Sequence, residues 1–190
     1  VLSAQSLPPF DNSAMDGYAV RSQDVTAGAA LQVAADIPAG ATTPAPLPVG
    51  HAARIMTGAP LPEGADSIVP VELTDQPRGA APLPDQVIIS EVPVPGRHVR
   101  REGENVSVGD RVLMPPLRLG PAEIAAAASA GHATVPCRRA PRVAVLVTGD
   151  ELTDPAPGLP AGMIPDSNGP LLTALLQDAG AALHHLERTS

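Results

Sequence analysis

Asp11, Asn12, Ser13 and Asp16 stand close together inside the run Leu7-Pro8-Pro9-Phe10-Asp11-Asn12-Ser13-Ala14-Met15-Asp16-Gly17-Tyr18-Ala19-Val20, which also holds the only Phe and the only Tyr of the chain. The run follows neither the helical nor the strand period. It therefore reads as an ordered loop, held by its two aromatics and presenting its polar groups at one place. One reading is a substrate-facing element. The other is a turn-rich connector whose Asp and Asn bond their own backbone, and loop statistics alone favour the connector.

A second group follows the apolar run Val143-Ala144-Val145-Leu146-Val147, which reads as a strand buried on both faces of a parallel sheet. Thr148-Gly149-Asp150-Glu151 then falls at the carboxyl end of that strand, the edge where open α/β sheets bind ligands. Asp166-Ser167-Asn168 opens the next helix, where free backbone N–H groups and the helix dipole favour phosphate. Carboxylates facing a phosphate repel it, so the pair of features implies a phosphate-bearing ligand with a divalent cation, and Mg²⁺ is the natural bridge. The competing readings are solvated loop acids for Asp150 and Glu151 and plain helix capping for Ser167 and Asn168.

Other reactive types give weaker patterns. Arg97, Arg100 and Arg101 could receive an anion, although Glu102 and Glu104 lie beside them. Thr57-Gly58-Ala59-Pro60-Leu61-Pro62 reads as a rigid turn. The five histidines show no chelating spacing, and Cys137, between Pro136 and Arg138, reads as a core residue. Neither a Ser-His-Asp signature nor a Gly-rich phosphate loop is visible.

The elements that must position these groups differ along the chain. Leu31–Ile37, Arg54–Thr57, Ser67–Val71 and Gln86–Val92 are short apolar or alternating runs closed by Gly or Pro, the pattern of a small β domain. The loop Asp75–Pro84 is polar and Pro-rich, hence exposed. Val108–Leu113 is a further expected strand. Pro121 opens and Gly131 closes an Ala-rich helix. Leu171, Leu172, Leu175, Leu176 and Ala179 share one face of a second helix, and Ala181–Leu186 begins another strand. Two strands and one helix cannot cover a parallel sheet. The expectation is a chain cut inside an α/β domain, the alternative being layers supplied by another chain.

Composition narrows the function. The 190 residues are 44% hydrophobic but only 1% aromatic, so Val, Ile, Leu and Ala must build the core. A net charge of −8 disfavours a nucleic-acid partner, and no apolar run is long enough to span a membrane. All 12 basic residues are Arg. The single Cys excludes an intrachain disulfide and fits a reducing compartment, which makes a cytoplasmic protein the expectation.

Four colinear segments resemble the molybdopterin molybdenumtransferases, the MoeA/gephyrin family. They are Leu7–Val20, the run Arg54-Ile55-Met56-Thr57-Gly58-Ala59-Pro60-Leu61-Pro62-Glu63-Gly64-Ala65-Asp66, Arg97–Asp110, and Pro141–Leu152 with Ile164–Asn168. The resemblance implies a mixed α+β multidomain protein. Residues 1–23 and 97–139 would form a connecting domain with a helix near 121–131, 24–96 an inserted β domain, and 140–190 the start of a parallel α/β molybdopterin-binding domain. It implies an enzyme that inserts molybdenum into adenylylated molybdopterin, with molybdate as the second substrate, Mg²⁺ as cofactor and AMP as product. A homodimer with a cleft between subunits is expected, and a molybdopterin adenylyltransferase as upstream partner.

By position, Asp16, Thr57 and Glu151 match residues the family uses in catalysis. Glu151 and Asp166 fall to the metal, and Asn12, Ser13, Arg100, Gly149, Asp150, Ser167 and Asn168 to substrate. Gly103-Glu104-Asn105 departs from the family's usual Gly-Glu-Asp, and Asn lacks the charge. The family's Ser-Gly-Gly-Val-Ser loop and later Lys-Pro-Gly do not occur, so these residues alone are expected not to catalyse the transfer. A molybdopterin- or nucleotide-binding scaffold is the alternative, against which the scarcity of aromatics argues. A nucleotide-processing enzyme of the competence-damage family would lack the Asp11–Gly17 loop.

Overall fold

Short apolar runs pair into sheets wherever both backbone edges find partners. The computed structural model describes residues 1–79 and 81–189, with Val1–Val135 and Pro136–Ser190 as two compact units.

The first unit contains β1 (Asn12–Ser13), β2 (Gly17–Val20), β3 (Ala30–Ile37), β4 (His51–Ile55), β5 (Ser67–Pro70), β6 (Gln86–Ile88), β7 (Val99–Arg100) and α1 (Pro121–Ser129). Five strands form one sheet in the order β5-β2-β4-β3-β6, in which β3 and β4 run parallel and the other neighbours antiparallel. Each face of this sheet carries a small core. Tyr18, Val20, Leu31, Ala52, Val69, Val87 and Ile89 pack on one side, and Ala19, Ile37, Ala53, Ile55, Ala59 and Ile68 on the other. Ile55, Ile68 and Ile89 are fully buried, and each contributes about 1.5–3 kcal/mol of burial free energy.

A bulge in β3 decides which face its residues take. Val33 pairs with Ala52 and Ala35 with Ala53, leaving Ala34 as the extra residue. Side chains alternate along a strand, so the extra residue turns Ala35 and Ile37 to the face opposite Leu31 and Val33. It also brings Asp36 opposite Arg54 on the Tyr18 face.

Two expectations in this unit are corrected. Gly17–Val20 is no loop: it is the strand between β4 and β5, and all four residues are buried. With both faces covered, the period-2 alternation that marks a half-exposed strand is absent. The run Val108–Leu113 forms no strand. It meets the chain's first residues through the single bridge Leu2↔Arg111 and bonds such as Ser3 N–H to Asp110 O at 2.8 Å. α1 follows its sequence cues, with Pro121 in the first turn and the Glu123 carboxylate accepting the Gly120 N–H at 2.8 Å.

The second unit contains β8 (Arg142–Thr148), β9 (Leu152–Thr153), β10 (Ile164–Pro165), α2 (Asn168–Asp178) and β11 (Ala182–Thr189). β8 and β11 pair in parallel, as do β9 and β10. The β9–β10 ladder interrupts what the sequence presents as one long loop. Cys137, expected in a core, is exposed, because the stretch before β8 forms no regular element that could cover it. No described helix is long and apolar enough to cross a membrane.

Candidate functional site

Gly17 fixes the entry to the site. A Cβ on it would stand 2.1 Å from Val69 O and 2.9 Å from Pro70 Cα, so only glycine lets β2 sit against β5 here. The residue before it, Asp16, is thereby held at the end of the sheet. Its Oδ1 accepts two hydrogen bonds from one residue, Thr57 N–H and Thr57 Oγ1–H, both at 2.7 Å. These bonds hold the Asp16 carboxyl below the usual carboxylate range, the backbone N–H contributing most. Oδ2 has no partner among the described residues, so Asp16 presents an ionised, outward-facing acceptor.

The turn after β4 is docked on the loop before β2. Gly58 N–H donates to Ser13 O at 2.8 Å, Ser13 N–H to Ala59 O at 3.0 Å, and Leu61 N–H to Asp11 O at 2.9 Å. The 97–105 segment is docked on the same loop, with Asn12 opposite Arg100 and Ser13 opposite Val99. Asp11 secures that junction through the Arg101 guanidinium at 2.5 Å and the Glu102 N–H at 2.8 Å. Burial pushes the Asp11 carboxyl up, but these partners together hold it below the usual range. Asp11 is thus a clamp between segments.

Sequence-assigned residues divide accordingly. Asp16, Thr57, Asn12, Ser13 and Arg100 converge on three neighbouring segments of the first unit. Ser13 is fully buried, and its hydroxyl is committed to Met15 O at 2.5 Å, so it shapes the loop. Asn12 is only 6% exposed. Its amide donates to Phe10 O at 3.1 Å, while its Oδ1 is the one sealed side-chain polar atom without a partner among the described residues. Arg100 is exposed and carries no ion pair among the described residues, whereas Arg97 meets Glu91 and Arg101 meets Asp11.

Gly149, Asp150, Glu151, Asp166, Ser167 and Asn168 lie in the second unit. Asp150 and Glu151 are exposed past the end of β8. Capping of α2 falls to Asp166, not to Ser167 or Asn168: Asp166 Oδ1 accepts the Gly169 N–H at 2.9 Å, while Ser167 makes no side-chain cap bond. The β9–β10 register places Glu151 just before the paired rows and Asp166 just after them, about 10 Å apart along the strands. Among the described residues no three His, Cys, Asp or Glu side chains gather in one place.

Sequence reasoning missed a cavity of about 330 Å³ beside Asp16. Its wall includes Tyr18, Arg54, Met56, Val71 and, from the loop expected to be merely exposed, Gln76 and Ala81. Arg54 ties that loop to the sheet. Its Nε and Nη2 grip both Asp36 oxygens at 2.9 and 2.5 Å, and its Nη1 donates to Ala81 O at 2.7 Å. The outer side of the loop is exposed as expected, while Gln76 and Ala81 are half-buried. The alternation Tyr18-x-Val20 against Ala52-x-Arg54 was the available signal, had β2 been recognised as a strand.

The family described as the MoeA N-terminal region (domain I and II) matches residues 1–131. Molybdopterin molybdenumtransferase 2 of Mycobacterium tuberculosis is 47% identical over 189 residues, spanning 96% of this chain and 45% of that protein. The molybdopterin molybdenumtransferase of Haemophilus influenzae is 40% identical over 177 residues, spanning 93% of this chain and 43% of its own length. The chain thus spans a little under half the length of these curated relatives. A crystal structure of the molybdopterin biosynthesis MoeA protein of Pyrococcus horikoshii superposes with a TM-score of 0.84 at 26% identity, covering 100% of this chain and 51% of that one. Another gives 0.77 at 30% identity, covering 49% of the solved chain. With the match running through more than half of its residues, the chain belongs to the MoeA family, by that family's N-terminal region.

Proposed function

We propose that this chain is the N-terminal and central part of a molybdopterin molybdenumtransferase, which inserts molybdenum from molybdate into adenylylated molybdopterin and releases AMP. The observation that carries the reading is the Asp16–Thr57 pair. Residues 41 positions apart in sequence are joined by two hydrogen bonds to one carboxylate oxygen, and Asp16 itself lines a cavity. A depressed carboxyl of this kind stays ionised and accepts N–H or O–H donors from a ligand. The names and matched segments of the relatives support the substrate class.

In this reading Asp16 and Thr57 face the pterin or the oxyanion, and Arg100 beside Asn12 receives an anionic group. Asn12 and Ser13 shape that contact. Gly149, Asp150, Ser167 and Asn168 meet the phosphate end of the substrate, and Glu151 acts in the transfer. Hard oxygen donors suit Mg²⁺, and one or two carboxylates are its usual protein share, so Glu151 and Asp166 fit it by donor type. Bound there, the ion would offset the charge of the phosphates. We further assign 1–23 and 97–139 to a connecting domain, 24–96 to an inserted β domain and 140–190 to an α/β domain. A cytoplasmic homodimer, fed by an adenylyltransferase, completes the proposal.

The relatives are more than twice as long as the stretch they share with this chain, which supports assigning turnover to the whole protein. The test is AMP release from adenylylated molybdopterin when molybdate is added to the full-length protein. Wild type releases AMP, and Asp16→Asn or Glu151→Gln slows release by about a hundredfold. Unchanged release in both variants refutes the assignment, and silence of the wild type refutes the transferase reading.

A further inference from the structure

The five-stranded sheet ends at two edges, and they are closed in different ways. At β5 the backbone does it: Ile68 N–H donates to Arg97 O and Gly96 N–H to Asp66 O, both at 2.9 Å, and Pro70 has no N–H to leave open. At β6 the facing backbone stops short. Gly28 N–H donates to Ile89 O at 2.8 Å and Val33 N–H to Asp85 O at 2.9 Å. Asp85, Val87 and Ile89 therefore turn their backbone groups to β3, while Gln86, Ile88 and Ser90 turn theirs away from the sheet.

Residues 73–76 meet those outward groups. Ser90 N–H donates to Leu73 O at 2.9 Å and Asp75 N–H to Ile88 O at 3.2 Å, on either side of the bridge Thr74↔Ile89. A strand in that register would next offer the Asp75 carbonyl to Ile88 N–H and an N–H of residue 77 to Gln86 O. Residue 77 is Pro and has no N–H. Side chains take over at this point: Asp75 Oδ1 accepts Ile88 N–H at 2.9 Å, and Gln76 Nε2 donates to Gln86 O at 3.4 Å and to Asp75 Oδ1 at 3.1 Å. A carboxylate and an amide thus stand where the backbone of an added strand would stand.

β6 needs such a closure. Gln86-Val87-Ile88-Ile89-Ser90 has no charge and no Pro, its three central residues are β-branched, and the Ile88 side chain is 41% exposed. Such a stretch on an open edge is a template for a further strand. A second copy of the same segment fits it. Turned antiparallel about Ile88, the two place Ile88 against Ile88 and Gln86 against Ser90, so their outward backbone groups exchange bonds. Only the flanks resist, where Asp85 falls opposite Glu91.

We propose that Asp75 and Gln76 form an edge cap that keeps a second copy of the chain from adding to the sheet at β6. The test compares the full-length wild type with Asp75→Ala, Asp75→Asn and Glu72→Ala by sedimentation velocity over a concentration series. The buffer contains about 0.5 M NaCl, which screens the flanking charges. Asp75→Ala should form a species larger than the wild-type oligomer, growing with concentration. Asp75→Asn keeps an acceptor oxygen, and Glu72→Ala removes the same charge from a residue that pairs with Arg78 instead of the edge, so both should sediment as wild type. Adding Ile88→Lys to Asp75→Ala should abolish the larger species, because a lysine on an edge blocks strand addition, whereas association through general unfolding would persist. Hydrogen exchange read by mass spectrometry is the second measurement. The Ile88 amide should exchange about tenfold faster in Asp75→Ala, while peptides from β4 keep their wild-type rate. Wild-type sedimentation of Asp75→Ala overturns the proposal. So do equal association in Asp75→Asn or Glu72→Ala, association that survives Ile88→Lys, and an unchanged Ile88 exchange rate.

Discussion

Replacing Gly17 by Ala places a methyl carbon 2.1 Å from Val69 O, where ordinary contact begins at 3.4 Å. The neighbours are the backbone of β5, so no side chain can swing aside. Accommodation requires β2 and β5 to separate by more than an ångström at the row Gly17↔Pro70. Overpacking against flexible surroundings costs about 1–3 kcal/mol, and a rigid ladder belongs at the top of that range. With a urea dependence of about 2 kcal/mol/M, a loss of about 3 kcal/mol lowers the midpoint by about 1.5 M. Tyrosine emission is the assay. Tyr18 is the sole tyrosine of a chain without Trp, and it is buried in the same sheet, so its signal follows the first unit alone. A midpoint within about 0.3 M of wild type refutes the close-approach reasoning. Because Asp16 adjoins Gly17, the variant should also loosen the Thr57 bonds, seen as a rise in the Asp16 carboxyl pKa.

Thr57→Val keeps the backbone donor to Asp16 and removes the hydroxyl, so the Asp16 pKa should rise part of the way toward 3.8, and a carboxyl resonance titrating as in wild type refutes the pairing. Asp11, Asp36 and Asp66 are also depressed below 3.8 in the fold, so their contribution is full above that value and is lost as pH falls through the folded pKa values. Asp66 accepts from Ser22 N–H and Oγ and from Ser67 Oγ; Asp66→Asn should flatten the acid limb of urea midpoint against pH, and an unchanged limb counts against it. Burial pushes the Tyr18 phenol above 10.0, so its stabilising share is present below that pH and fades as the phenol ionises; an absorbance titration of the folded protein with a midpoint at or below 10.0 contradicts its placement.

The legible parts of the fold were those with a period. Leu31–Ile37 appears as Ala30–Ile37, and the Ala-rich helix begins at Pro121 as its residues dictate. The run Val143–Val147, legible without a period as an unbroken apolar stretch, appears within Arg142–Thr148, but it is not buried on both faces as expected: Val145 and Val147 are buried, while Leu146 is exposed. Gly17–Val20 stayed hidden because burial on both faces erases alternation, and that concealed the cavity as well. Asp16 and Thr57 stood out by residue type and family resemblance, but the two bonds joining them depend on a contact 41 positions apart that no local pattern encodes. The same holds for Asp11, whose clamp on Arg101 spans 90 positions. Asp166 was legible as a residue at a helix start, but which of three polar neighbours would cap was settled only by backbone geometry.

Ala34 is exposed and has no row of its own, so β3 carries one residue more than the ladder beside it needs. Straightening the strand with Ala34 kept would move every later residue one row along: Ala34 would take the Ala53 row, Ala35 the Arg54 row and Asp36 the Ile55 row. Arg54 would then face an Ala methyl, and the loop at Ala81 would lose its anchor, although no residue of the cavity wall had been touched. Deleting Ala34 leaves Val33, Ala35, Asp36 and Ile37 opposite Ala52, Ala53, Arg54 and Ile55 as before, so a gap at residue 34 should be accepted while an extra residue between Ala35 and Asp36 is refused. The β3 bulge is thus slack taken up ahead of the one pairing that ties the loop down.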